Sequence, residues 1–135
     1  MKHSVLLGYQ TVAGLSDTVT GAMLCVAPQL TLRLMGLHSS ADTMPFVSYI
    51  GAFVFSVGLS YVYGAWLIAV RAPAERMEIV WLLTAFTRSA VAVYVLKGVL
   101  AGDLEFGWIA VAAFDAACVV IQAVGLRKRW LFNAR

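Results

Sequence analysis

Three ionisable residues, Asp17, Arg88 and Asp115, stand in stretches that are otherwise oil-like. A carboxylate beside a guanidinium can neutralise it, share a proton with it, or join it in gripping the polar end of an apolar ligand. Alone at the centre of a bilayer, each would cost about 2.5–3.5 kcal/mol on insertion scales, so each needs a partner. The neighbouring residues fit an inward-facing polar cluster. On the first segment Gln10, Gly14, Asp17, Gly21 and Leu24 fall on one helical face that is polar and small. Thr84 lies one turn from Arg88, and Gln122 lies two turns from Asp115. The spacing predicts that Asp17, Arg88 and Asp115 converge, with Gln10, Thr84 and Gln122 around them. Such a cluster fixes helix register, holds a polar ligand or headgroup, or relays protons, with the structural role favoured.

Other chemistries find no residues to carry them. His3 and His38 are far apart, and no metal-ligand spacing accompanies either. Cys25 and Cys118 form no paired motif and read as two small buried apolar residues. Adjacent Ser39 and Ser40 in "GLHSSAD" have no strand or elbow context and read as turn residues. No glycine-rich phosphate cradle or nucleophile–base set is present, so no catalytic residue is assigned.

These polar residues need long apolar helices to position them. Of the 135 residues, 61% are hydrophobic and 13% are charged, too little charge to cover a soluble domain. The expected fold is an all-α polytopic membrane protein, one four-helix bundle with spans at about 4–27, 46–70, 79–100 and 106–126. The formal charge of +3 is spread over loops, which excludes a nucleic-acid surface. Its densest part, Arg127-Lys128-Arg129, reads as a topology signal or headgroup contact. Asp17 interrupts the first segment and argues against a cleaved signal peptide. Pro28 ends that segment, and "PQLTLRLMGL" reads as a short amphipathic piece lying at the interface.

Depth and orientation follow from the same map. Arg88 and Asp115 each lie nine residues into their expected spans, about 14 Å from opposite faces, and Asp17 is similarly deep. Lys2, Arg71, Arg76, Arg127, Lys128, Arg129 and Arg135 fall on one side, against Arg33 and Lys97 on the other. Seven against two places both termini in the cytoplasm. Trp66, Trp81 and Trp130 are then expected at the inner interface, and Trp108 at the outer one. Association should come from small residues, and Ala52, Ser56, Ser60 and Gly64 recur at every fourth position of the second span. That stripe predicts packing within the chain or, failing that, a homodimer seam.

"GAMLCVAPQLTLRLMGL", "YIGAFVFSVGLSY", "TRSAVAVY" and "AFDAACVVIQAVGL" together resemble the DoxX-like group of small four-helix bacterial membrane proteins. The resemblance covers nearly the whole chain through short motifs. It implies a bacterial inner-membrane location and association with membrane oxidoreductases or quinone-linked systems. It also implies that Arg88 and Asp115 match the group's recurring intramembrane polar residues. No Cys-x-x-Cys pair is present, which argues against thiol redox chemistry.

Three functions compete. The favoured one is a non-catalytic subunit or scaffold that contacts membrane lipid and a membrane protein partner or a second copy. The alternative is a site for a quinone, isoprenoid or other lipid, with Phe53, Phe55, Tyr61, Tyr63, Phe86 and Tyr94 as its walls. The third is a small proton-coupled exporter. The paired mid-helix arginine and the strong charge bias count against it.

Overall fold

A computed structural model describes residues 2–133, which are helical apart from short connections, with no strand among them. Six α-helices follow in chain order: α1 His3–Val26, α2 Pro28–Leu34, α3 Met44–Ala69, α4 Ala74–Ala101, α5 Ile109–Arg127 and α6 Trp130–Asn133. Short 3-10 turns over Ala41–Thr43 and Phe106–Trp108 lead into α3 and α5. Three helical segments are long and apolar enough to cross a membrane: Ala41–Ala69, Ala74–Ala101 and Phe106–Arg127. α1 has the length, at 24 residues. Its Gln10, Asp17 and the hydroxyls of Ser16, Thr18 and Thr20 keep it out of that set.

The chain forms two compact units, Lys2–Arg71 and the segment from Ala72 onward. In the first, α1 runs antiparallel to α3. A Cβ at Gly14 would come within 2.9 Å of the Val62 nitrogen, and one at Gly51 within 2.6 Å of Leu24 Cβ. One at Gly21 would overlap the Phe55 backbone, and one at Gly58 the Thr18 backbone. Gly14 and Gly21 on α1, like Gly51 and Gly58 on α3, are seven residues apart, a spacing that returns to one face after two turns. Backbones therefore touch where side chains would otherwise stand, which is how helices gain dispersion contact without a hydrophobic drive.

The expected small-residue stripe is not the one used. Ala52 and Ser56 are exposed, Ser60 is half-buried and only Gly64 is buried. The Ser56 and Ser60 hydroxyls donate to carbonyls of their own helix, those of Phe53 and Ser56. Four-residue spacing drifts around a helix, so over several turns the seven-spaced glycines stay on the contact face and the stripe leaves it.

Local signals explain the ends. Pro28 opens α2, and Gly36 at φ 71° closes it, with the Leu37 N–H donating to the Leu32 carbonyl at 2.8 Å. In the second unit Gly102 at φ 80° closes α4, and Asp103 and Leu104 donate back to the Gly98 carbonyl. Leu104 packs where a Gly98 side chain would lie. α4 begins at Ala74, five residues before the expected start. Pro73 sets the cap, and the "AERME" segment, expected as loop, is made of good helix formers. The C-terminal tail packs against α4 and α5. Arg129 at φ 53° turns it back, and Leu131 is buried. Arg135, counted in the charge bias, lies outside the described residues.

Candidate functional site

The second unit brings four of the six expected polar residues together along one seam between α4 and α5. Because the helices are antiparallel, residues descend on one as they ascend on the other. Trp81 meets Gly125, Thr84 meets Gln122, and Arg88 meets Asp115. All six side-chain or backbone positions are buried. The steps are three and four residues on α4, and three and seven on α5, so the seam is one helical face on both partners.

Arg88 Nη1 donates to Asp115 Oδ1 in a buried ion pair. The guanidinium carbon also lies 5.2 Å from the centre of the Phe114 ring. A desolvated cation over an aromatic face gains about 2 kcal/mol, and the ring shields the pair from its surroundings. Arg88 is 3% exposed and Asp115 is 7% exposed, so neither charge is presented at the outer surface of the helices. This arrangement explains how an arginine can sit in the middle of an apolar helix.

One turn away, the Thr84 hydroxyl donates to the Val80 carbonyl at 2.7 Å and accepts from Gln122 Nε2 at 2.8 Å. A hydroxyl has one proton, so the back-bond to Val80 leaves only acceptor capacity for Gln122. That fixes the amide with its NH2 towards Thr84. Gln122 Oε1 is then buried with no hydrogen-bond partner among the described residues. A carbonyl oxygen in that position is suited to an O–H or N–H donor such as an ordered water or a polar ligand head.

The remaining two expected residues, Gln10 and Asp17, belong to the other unit. Both are buried there on α1, with Gly14, Gly21 and Leu24, on the face the spacing predicts. Beside them the Tyr9 and Tyr61 hydroxyls lie 3.3 Å apart, and Thr18 Oγ1 donates to the Gly14 carbonyl at 2.7 Å. His3 Nε2 lies 3.1 Å from the Ile68 carbonyl, which ties the start of α1 to the end of α3.

Comparison with protein-family models, curated proteins and solved structures finds no match.

Several sequence expectations change: of the two cysteines expected to be buried, Cys118 is and Cys25, near the end of α1, is exposed. Of the aromatic residues expected to wall a ligand site, Phe53, Tyr63, Phe86 and Tyr94 are exposed, Phe55 is half-buried, and only Tyr61 is buried. Trp81, expected as an interfacial anchor, is fully buried against Gly125, while Trp66 is exposed. Sequence reasoning missed Phe114 and the Trp81–Gly125 step. The signal was available for the latter: Trp81 lies three residues before Thr84 and Gly125 three after Gln122, which extends the polar register by one layer.

Proposed function

We propose that the chain is a four-span, non-catalytic integral membrane protein, a subunit or scaffold with both termini in the cytoplasm. The observation that carries this reading is the buried Arg88–Asp115 ion pair, which joins α4 to α5. An ion pair neutralised by its neighbour fixes register and leaves no free charge poised for chemistry.

The fourth span is α1. At 24 residues it extends about 36 Å, enough for a hydrocarbon core of about 30 Å. Its polar residues Gln10 and Asp17 lie on the buried face, while Val5, Val12, Leu15, Val19 and Val26 are exposed. A helix that hides its polar side and shows an apolar one to lipid scores low on average hydropathy and still spans. α2 then lies at the surface, as its exposed Leu30, Arg33 and Leu34 suit an interface. The resemblance to DoxX-like proteins supports the same architecture and a bacterial inner-membrane, redox-associated setting.

A partner surface is also at hand. Ala52 and Ser56 are not used for packing in the chain, and exposed small residues on a spanning helix let another helix approach closely. The decisive experiment is native mass spectrometry of the chain drawn from its own membranes in mild detergent. The expected result is a second protein chain, or a second copy, retained by the wild type and lost in Ser56→Leu. A chain that emerges alone overturns the scaffold reading.

A second reading is favoured by one observation, the buried Gln122 Oε1 with no partner among the described residues. It takes the α4–α5 seam as the polar end of an intramembrane site for a quinone, isoprenoid or other lipid. A lipophile retained by the wild type and released by Gln122→Leu supports this reading over the first.

A further inference from the structure

In the first unit a cleft of about 150 Å³ opens where the chain turns from α2 towards the start of α3. Leu32, Leu37 and Met44 line its apolar side, and Gln29, Arg33, His38 and Ser39 line its polar side. The backbone explains this meeting. Gly36 takes a left-handed conformation, and the Leu37-to-Leu32 hydrogen bond folds the chain back, so that His38 and Ser39 come round to the cleft that Arg33 lines.

The donors of this lining are specific. Thr43 Oγ1 donates to the Ser40 carbonyl at 2.7 Å, so the proton between Ser39 and Thr43 comes from Ser39. The nitrogen-bearing side chains of the lining are the Arg33 guanidinium, the Gln29 amide and the His38 imidazole. No carboxylate is among the lining residues. A planar guanidinium with an amide and an imidazole beside it is a set that recognises oxyanions.

Size narrows the ligand. Sites that enclose a whole drug-sized molecule occupy about 300–1,000 Å³, so this cleft holds only one end of a larger molecule or a small anion. Position narrows it again. Met44 is the first residue of α3, at one end of a segment long enough to cross the membrane. The ends of such segments lie at headgroup level.

We propose that this cleft is a phosphate site at the bilayer surface, which takes the headgroup phosphate of an anionic phospholipid against Arg33, Gln29 and His38. The apolar residues then meet the start of the lipid's glycerol and acyl region. This inference rests on the membrane-spanning reading of α3.

The test uses the full chain in nanodiscs of phosphatidylcholine mixed with phosphatidylglycerol, with retained lipids counted by native mass spectrometry. Wild type should hold phosphatidylglycerol about tenfold better than an Arg33→Gln/His38→Gln variant, the effect of losing charge-assisted hydrogen bonds. Met44→Trp, which fills the cleft and keeps both basic residues, should lose the lipid to a similar degree. Lys128→Gln/Arg129→Gln removes charge elsewhere and should leave retention unchanged. In a second arm, inorganic phosphate is titrated into delipidated protein in neutral detergent. Binding there that is lost in the same cleft variants keeps the site and assigns it to a soluble anion. Equal retention in wild type and both cleft variants overturns the proposal, as does a loss confined to the tail variant. Failure of the membrane reading is separately visible, because every variant would then stay in solution without detergent.

Discussion

The two units solve one problem by opposite means. In Lys2–Arg71, α1 and α3 meet through glycines, so the contact is backbone against backbone and depends on shape. From Ala72 onward, α4 and α5 meet through Trp81–Gly125, Thr84–Gln122 and Arg88–Asp115, so the contact depends on which polar group faces which. In lipid both routes are open, because apolar side chains gain little by leaving one hydrocarbon for another. The difference shows in what each seam tolerates. A glycine seam resists any added volume, while a polar seam resists loss of one partner but accepts loss of both.

The largest effect should come from splitting the ion pair. Arg88→Leu leaves Asp115 buried without its cation and should cost about 3–5 kcal/mol, measured by unfolding in mixed micelles. Arg88→Leu/Asp115→Leu should recover most of that loss, since an apolar pair of similar volume replaces the ion pair. The charge-swapped protein, Arg88→Asp with Asp115→Arg, should fold better than either single change. If the double variants are as damaged as the single ones, the pair does more than neutralise itself.

Next is added volume in the glycine seam. Gly21→Ala or Gly58→Ala pushes a methyl into the facing backbone and should cost about 1–3 kcal/mol, with no rescue by any charge change. Gly125→Ala tests whether the polar seam has a shape-dependent layer of its own, because its Cβ would overlap the Trp81 ring. A loss of similar size there would narrow the contrast between the units.

Smaller again is Thr84→Val, which removes the acceptor of the Gln122 amide and should cost about 0.6–1.7 kcal/mol, from the mean to the upper end of values for hydrogen bonds between membrane helices. The smallest effect is expected at the stripe that the packing does not use. Ser56→Leu should change stability by no more than about 0.5 kcal/mol and yet abolish association with a second chain. A large loss of stability would show that this face packs inside the folded protein after all.

Much of this organisation was legible in the residues. That Arg88 needs an acidic companion follows from cost alone, with Asp115 and Asp17 both at the right depth, and the Arg88–Asp115 ion pair meets that need. The α1 face from Gln10 to Leu24 follows from spacing. Less legible was the packing register on α3. Both a four-residue series and a seven-residue pair of glycines were present, and composition does not say which of them a partner helix will meet. The same holds for the tryptophans. Trp66 and Trp81 have equal claims to an interface in one dimension, but only Trp81 has Gly125 to close over it.

The chain by itself determined that its helices are apolar, how long they are and which side chains must find a polar companion, because these depend on each residue's own transfer energy and on helical period. Only the tertiary structure decided which glycines touch, which way the Gln122 amide points and which aromatic rings are covered. Those depend on the separation and rotation of two helices, quantities set by the sum of all contacts across a seam and written in no single segment.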